Sequence, residues 1–149
     1  MKQIALGVLT YNHPDVVSDI LETSKKTYSI FADFGLDIYY LDSSETKETK
    51  EIVEREIKNG FTNLYYVNIP SKMSPAKKLQ NFLMGKYCND EYNNYWPIKD
   101  RVIFNVKNLM NVYSSALIGQ YDLIFLDGYG KNKGIEGETH DYLIFSRLM

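Results

Sequence analysis

The strongest indication of the fold in this sequence is the stretch Ile4-Ala5-Leu6-Gly7-Val8-Leu9-Thr10-Tyr11-Asn12-His13-Pro14. Its first six residues form an apolar run without polar alternation, which is typical of a strand buried on both faces of a parallel sheet. A polar turn follows, and Pro14 closes it where a helical pattern begins. A buried parallel strand that ends in a polar loop and leads into a helix is the unit whose carboxyl end holds ligands in open α/β sheets.

The rest of the sequence repeats this alternation. Apolar runs and turn residues predict strands over residues 36–41, 63–69 and 121–126, and a short strand that starts at residue 95 and enters a charged turn ending at residue 101. Helical spacing of apolar residues predicts helices over residues 15–34, 46–59, 75–84 and 103–117. Strands that alternate with helices at this spacing require right-handed crossovers. We therefore predict an α/β fold, with a mostly parallel sheet flanked by helices, in a single domain over residues 1–149.

Some finer features of this pattern are also predicted. Residues 89–94 and 130–138 are polar or glycine-rich and are expected to be loops. The charged second helix is expected to bury Ile52, Val53 and Ile57 and to expose its other residues to solvent. Trp96 is interpreted as a core residue, with stacking on a base or an acceptor sugar as the alternative.

Composition and charge narrow the class of protein. The 149 residues carry a net charge of −2, so no global basic field indicates a nucleic-acid partner. The single Cys88 excludes an internal disulfide and fits a reducing compartment. No stretch approaches the roughly 20 apolar residues of a membrane span, and the apolar run at the N-terminus is too short for a signal peptide. We expect a cytoplasmic protein, with peripheral association at the inner face of the membrane and homo-oligomer formation as open options.

The turn after the first strand contains no glycine. Neither a G-x-G-x-x-G nor a G-x-x-x-x-G-K-[ST] pattern follows the strand, which argues against a dinucleotide or P-loop site. We expect instead a base or ribose that is contacted by side chains and backbone. Asp42, at the end of the second strand, can accept hydrogen bonds from a base N–H or from ribose hydroxyls. His13 and His140 have no histidine partner at helical spacing, so a zinc site is not expected.

Polar groups end three of the predicted strands: Thr10-Tyr11-Asn12, Asp42-Ser43-Ser44 and Lys99-Asp100-Arg101. Because the carboxyl ends of parallel strands lie on one edge of the sheet, these segments are expected to share one cleft. Each segment alone also fits a solvated turn or a helix cap. Their joint position is therefore what favours a binding site.

These segments resemble the GT-A glycosyltransferases, in particular the family 2 type. The opening stretch looks like the strand that ends in Thr-Tyr-Asn and binds the nucleotide in that family. Leu41-Asp42-Ser43-Ser44 looks like the second strand end, whose acid contacts the uracil or equivalent base. Ser74-Pro75-Ala76-Lys77-Lys78-Leu79-Gln80-Asn81 looks like the helix after the third strand, whose polar residues lie near the nucleotide. Tyr95-Trp96-Pro97-Ile98-Lys99-Asp100-Arg101 takes the place of the Asp-x-Asp motif.

The resemblance covers residues 3–105 and implies a Rossmann-like, nucleotide-binding half of a GT-A glycosyltransferase. It implies that the nucleotide sugar is bound by Thr10, Tyr11, Asn12, Asp42, Ser43, Lys78, Lys99 and Arg101. The implied donor is a nucleoside diphosphate sugar, with a UDP-sugar favoured. The implied acceptor is a hydroxyl on a glycan, a lipid or a protein.

The sequence departs from the family at the Asp-x-Asp motif, because Ile98-Lys99-Asp100 holds one acid rather than two. In the family the acids hold Mn2+ or Mg2+ on the nucleotide diphosphate, and hard oxygen ligands suit these ions. Asp100 alone would supply one metal ligand, with phosphates and water completing the shell. Alternatively, Lys99 and Arg101 would stabilise the leaving diphosphate without metal. An ordinary ion-paired turn is the third interpretation.

The sequence also departs from the family in length, since an acceptor half and a catalytic base normally follow. We expect a chain truncated at its C-terminus, or a small domain that needs a partner. In an inverting transfer a carboxylate removes the proton of the acceptor hydroxyl. The candidates for this base within the chain are Asp127, Glu136, Glu138 and Asp141. Asp127, at a predicted strand end, is favoured, and a residue outside this chain is the alternative.

Three functional hypotheses remain open at this point. The first is a glycosyltransferase or its donor-binding half. The second is a non-catalytic α/β module that binds a nucleotide or a partner without transferring a sugar. The third is an unrelated doubly wound protein in which Asp42 and Asp127 only cap loops.

Overall fold

The computed structural model of the protein describes residues 2–25, 32–33, 35–100, 123–128 and 139–146, the last two segments through their backbone. The strands are β1 (Lys2–Thr10), β2 (Leu36–Asp42), β3 (Leu64–Asn68), β4 (Tyr92–Lys99), β5 (Leu123–Gly128) and β6 (Thr139–Ser146). The helices are α1 (Pro14–Ser24), α2 (Glu48–Lys58) and α3 (Pro75–Leu83). Residues 32 and 33 are also helical.

The strands form one sheet in the order β3-β2-β1-β4-β6-β5. Strands β1 to β4 are mutually parallel, and β6 is antiparallel to both β4 and β5. Strand β5 therefore runs in the same direction as β1 to β4. The predicted α/β class, with a mostly parallel sheet flanked by helices, is confirmed.

Apolar side chains pack on both faces of the sheet. One core cluster joins α1 and α2 to the sheet and includes Val8, Val17, Val53 and Trp96. The other lies on the opposite face and includes Leu41, Phe82, Tyr92 and Tyr95. Trp96 is only 2% exposed, which confirms its interpretation as a core residue.

The first helix is shorter than the predicted span of residues 15–34. It ends at Ser24, and residues 26–31 and 34 of the prediction lie outside the described part of the chain. Leu21, which is 2% exposed, belongs to the buried face of this helix.

Strand β4 begins at Tyr92, whereas residues 89–94 were predicted to be a loop. Tyr92 lies opposite Lys2 of β1, and its hydroxyl donates to the carboxylate of the buried Asp37. The Nδ2 of Asn94 donates to the carbonyl oxygen of Gln3 at 3.3 Å. The loop prediction is confirmed for residues 89–91 and was wrong for residues 92–94, because partners distant in the sequence satisfy these polar groups inside the fold.

Helix α2 packs on a face rotated from the predicted one. Val53 is buried as expected, but Ile57 is 38% exposed and Glu56 takes an inner position instead. Glu56 tolerates burial because the Nζ of Lys25 lies 2.7 Å from its Oε2. An ion pair between the C-cap residue of α1 and a residue of α2 cannot be recognised from hydrophobic periodicity.

Two predicted elements, the helix over residues 103–117 and the loop over residues 130–138, lie outside the described residues. The strand predicted over residues 121–126 is found as β5, which continues to Gly128, and residues 121 and 122 lie outside the described part of the chain. The apolar segment near the C-terminus contributes to β6. In the part of the chain that is described, no helix is long and apolar enough to cross a membrane.

Gly7 of β1 provides a test of the packing between α3 and the sheet. A Cβ at this position would stand 2.6 Å from Cζ of Phe82, which is fully buried. We expect Gly7→Ala to lower the free energy of unfolding by about 1–3 kcal/mol, measured by urea denaturation. In a Phe82→Leu background the same substitution is expected to cost less, because the shorter side chain makes room. An equal cost in both backgrounds would contradict the contact.

Candidate functional site

The carboxyl ends of β1, β2 and β4 lie side by side on one edge of the sheet. Thr10 is opposite Asp42, and Leu9 is opposite Lys99. The N–H of Ser43 donates to the carbonyl oxygen of Thr10 at 3.1 Å. The N–H of Asp100 donates in the same way to Leu9 at 3.2 Å. The three polar segments therefore leave the sheet from one edge, as the parallel arrangement predicts.

Asp100 is buried at the centre of this edge. Its Oδ2 accepts a hydrogen bond from Oγ1 of Thr10 at 3.1 Å and lies 2.8 Å from Nδ1 of His13. Oδ1 accepts none from the residues that the structure describes. Through Oδ2, Asp100 therefore links the end of β4 to β1 and to the start of α1.

Lys78 reaches from α3 into the same edge and is only 5% exposed. Its Nζ donates to Oγ of Ser43 at 2.9 Å and to the carbonyl oxygen of Thr10 at 3.3 Å. Burial lowers the pKa of this amine to about 8, although the charges of Asp42 and Asp100 act in the opposite direction. Ser74 caps the helix that carries Lys78, accepting from the N–H of Lys77 at 3.2 Å.

Asp42 ends β2 and is 1% exposed. Its Oδ1 accepts from the N–H of Ser44 at 2.9 Å, and its Oδ2 accepts from the hydroxyl of Tyr66 at 2.6 Å. Burial and this hydrogen bond raise the pKa of Tyr66. Each oxygen of Asp42 has thus one protein donor, and a carboxylate oxygen can accept a second one.

The loops after β1 and β2 are joined to each other. The N–H of Asn12 donates to Oγ of Ser44 at 2.8 Å, and Oδ1 of Asn12 accepts from the N–H of Glu45 at 2.9 Å. The hydroxyl of Tyr11 donates to Oε1 of Glu45 at 2.6 Å. Tyr11 is 45% exposed, so its ring is available at this edge.

The structure therefore brings together six of the predicted residues: Thr10, Tyr11, Asn12, Asp42, Ser43 and Lys78, with Asp100 between them. Lys99 is exposed at the end of β4. Arg101, Glu136 and Glu138 lie outside the described residues.

Asp127 belongs to β5, whose carboxyl end faces the same edge as those of β1 to β4. Leu126 and Ile98 both lie opposite Tyr142 of β6, so they are level across the sheet. Asp127 is one residue further and two strand spacings from β4, which is about 10 Å. The register shifts between Leu126 and Gly128, so the pairing of β5 with β6 is irregular at Asp127. Asp141, another candidate base, lies in β6.

Sequence reasoning missed three residues of this edge: His13, Glu45 and Tyr66. Ser44 belongs to a segment that was expected to share the cleft, and it accepts from the N–H of Asn12. His13 was weighed on its own only as a zinc ligand. Tyr66 lies opposite Tyr40, and Tyr40 is two residues before Asp42 in β2. Because side chains alternate between the faces of a strand, Tyr66 and Asp42 lie on the same face, and this alternation could have predicted their contact.

The residues at this edge fit a divalent cation only as a partner of a bound diphosphate. Among the described residues, no group of three or more His, Cys, Asp or Glu side chains is arranged to hold a metal ion. Asp100 has one oxygen without a donor from those residues. Nucleotide-bound Mg2+ is commonly held by one or two carboxylates together with phosphates and water.

Known proteins share this fold. No family model and no curated protein matches the sequence. The mannosyltransferase PcManGT from Pyrobaculum calidifontis, in complex with GDP-Man and Mn2+, is similar with a TM-score of 0.71 and 13% identity, over 97% of this chain and 44% of its own. S. aureus TarS 1-349 in complex with UDP-GlcNAc is similar with a TM-score of 0.63 and 18% identity, over 87% of this chain and 35% of its own.

A 4-diphosphocytidyl-2C-methyl-D-erythritol synthase from Anaerococcus prevotii is also similar, with a TM-score of 0.61 and 13% identity, over 97% of this chain and 70% of its own. The chain therefore has the fold of GT-A-type nucleotide-diphospho-sugar transferases, which confirms the predicted fold. It spans less than half the length of the mannosyltransferase and of TarS 1-349.

The buried amine of Lys78 gives this site a pH signature. Its pKa is about 8 in the folded state against 10.5 in the unfolded chain, so the unfolded state binds more protons between these values. The free energy of unfolding therefore rises with pH in this window. Relative to Lys78→Met, we expect the wild type to gain about 2 kcal/mol between pH 7.5 and 9.5, measured by urea denaturation. Parallel profiles for the two proteins would contradict the burial of a charged amine.

Proposed function

We propose that the chain is the donor-binding half of a glycosyltransferase that uses a nucleoside diphosphate sugar. The observation that carries this proposal is the meeting of Thr10, Asp42 and Asp100 at the carboxyl edge of parallel strands. Ligands bind outside the carboxyl ends of the strands in open α/β sheets. The fold is shared with proteins whose structures hold GDP-Man and UDP-GlcNAc.

The nucleoside is proposed to lie against the loops after β1 and β2. Asp42 is oriented by Ser44 and Tyr66, and its carboxylate would accept hydrogen bonds from the base or the ribose. The exposed ring of Tyr11 offers an apolar surface for stacking. UDP remains the favoured nucleotide from the sequence resemblance, and GDP is the alternative that the mannosyltransferase suggests.

The diphosphate is proposed to lie toward Asp100 and Lys99. Asp100 would supply one ligand to Mn2+ or Mg2+, and the phosphates and water would complete the shell. The metal would neutralise charge that develops on the leaving diphosphate. Lys99 is exposed at the end of β4, and its ammonium would add to this neutralisation.

Asp127 is proposed as the base that deprotonates the acceptor hydroxyl. The position of its backbone on the shared edge, where the pairing with β6 is irregular, supports this role. A carboxylate in this role takes the proton while the acceptor oxygen attacks the sugar carbon and the nucleoside diphosphate leaves. The acceptor is proposed to be a glycan, a lipid or a protein hydroxyl.

Binding of nucleoside diphosphates tests the donor site. Titration calorimetry with UDP, GDP and CDP, each with Mn2+ and with a chelator, should detect binding of at least one nucleotide. We expect Asp42→Asn to weaken that binding by about tenfold or more, because a hydrogen bond to a charged group is lost. Asp90→Asn is the matched control, since Asp90 lies before β4 at the opposite edge and is 52% exposed. If none of the three nucleotides binds the wild type, the proposal is wrong.

Turnover separates an enzyme from a non-catalytic nucleotide-binding module. On the complete natural gene product, release of nucleoside diphosphate from a panel of sugar donors is measured with and without acceptor. We expect Asp127→Asn to lower the rate by about 10²–10⁴-fold while nucleotide affinity is kept. Asp141→Asn, which removes the other candidate carboxylate of the described strands, should have little effect. Nucleotide binding without release from any donor would favour the module.

A further inference from the structure

Three hydrogen bonds join the Ser44–Glu45 segment to the loop after β1. Two hydrogen bonds join Asn12 to this segment, at 2.8 Å to Ser44 and at 2.9 Å from Glu45. A third joins the side chains of Tyr11 and Glu45 at 2.6 Å. Asn12 itself has a φ of +53°, a left-handed conformation that Asn tolerates better than most residues. The two loops are thereby held as one unit.

Tyr11 is held by this unit at both of its ends. Its backbone precedes the anchored Asn12, and its hydroxyl donates to the carboxylate of Glu45. The residue as a whole is 45% exposed. An exposed aromatic side chain normally samples several rotamers, and a tether at the hydroxyl restricts it to one.

The same contacts lead from Tyr11 to the base-binding carboxylate. Ser44, which accepts from Asn12, donates its own N–H to Asp42 at 2.9 Å. The hydroxyl of Tyr66 also donates to Oδ2 of Asp42, at 2.6 Å. Moving Glu45 would therefore affect the ring of Tyr11 directly, whereas the contact between Ser44 and Asp42 does not involve the Glu45 side chain.

We propose that Glu45 is a positioning residue of the nucleotide site, whose carboxylate holds the Tyr11 ring in place as a stacking surface for the base. This inference rests on the proposed nucleotide-binding function. Fixing a side chain before the ligand arrives removes part of the entropy cost of binding. Glu45 contributes in this way without touching the nucleotide.

The charge of Glu45 allows two roles to be distinguished, because a purely electrostatic role and a positioning role predict opposite changes in nucleotide affinity when Glu45 is replaced. A carboxylate near a diphosphate repels it, so removing the charge alone would strengthen nucleotide binding. If Glu45 acts by holding Tyr11, Glu45→Ala weakens the binding of UDP or GDP by about three- to tenfold, the range of a single hydrogen bond. Glu45→Gln keeps an acceptor for the Tyr11 hydroxyl and should bind at least as tightly as the wild type.

Two further variants separate this role from a general effect on folding. Glu91→Ala removes an exposed carboxylate before β4, at the opposite edge, and serves as the matched control. Tyr11→Phe keeps the ring but loses the tether, so it should weaken binding as much as Glu45→Ala does. In the Tyr11→Phe background, Glu45→Ala should have no further effect. Additive losses in the double variant would overturn the proposal.

A measurement without nucleotide keeps the two proposals distinguishable. The hydrogen bond to Glu45 raises the pKa of the Tyr11 phenol. Carbon NMR of the tyrosine ring carbons should therefore show Tyr11 titrating at lower pH in Glu45→Ala than in the wild type. An unchanged Tyr11 titration, or nucleotide binding that Glu45→Ala leaves intact or strengthens, overturns the role of Glu45 while the donor site stands. Absence of nucleotide binding by the wild type overturns both.

Discussion

Parallel pairing of β1 with neighbours on both sides is the constraint on which the site depends. Because β2 and β4 flank β1 in matched register, Thr10 is opposite Asp42 and Leu9 is opposite Lys99. Strands β1, β2 and β4 then end at about the same level, and their polar loops leave from one edge. Helix α3 packs closely against Gly7 of β1, and the same helix places Lys78 at this edge.

This edge has a buried part and an exposed rim, which have different physical roles. In the buried part, the amine of Lys78 donates to the carbonyl oxygen of Thr10 and to the hydroxyl of Ser43, and burial lowers its pKa. In the rim, Tyr11 and Glu45 keep contact with solvent. A buried polar part with an accessible rim suits a ligand whose polar groups bind inside the site and whose ring stacks near the surface.

Much of the fold could be predicted because it follows from local pattern. Apolar runs indicated β1, β2 and β3, and helical spacing indicated α1 to α3, with errors mainly at their ends. The start of β4 was missed because Tyr92 and Asn94 look like loop residues until Asp37 and Gln3 satisfy them. The pairs His13–Asp100 and Tyr66–Asp42 were missed for the same reason, since they join residues 87 and 24 positions apart.

Local patterns were enough to identify the segments that form strands and helices and the polar residues that end the strands, because burial and turn chemistry act over a few neighbouring residues. The contacts of Asp100 with Thr10 and His13, the burial of Lys78 beneath the loops and the contact of Glu45 with Tyr11 depend instead on the three-dimensional arrangement. Strand order and register bring these partners together, and hydrogen bonds of less than 3.5 Å cannot be read from residue types that lie far apart in the chain.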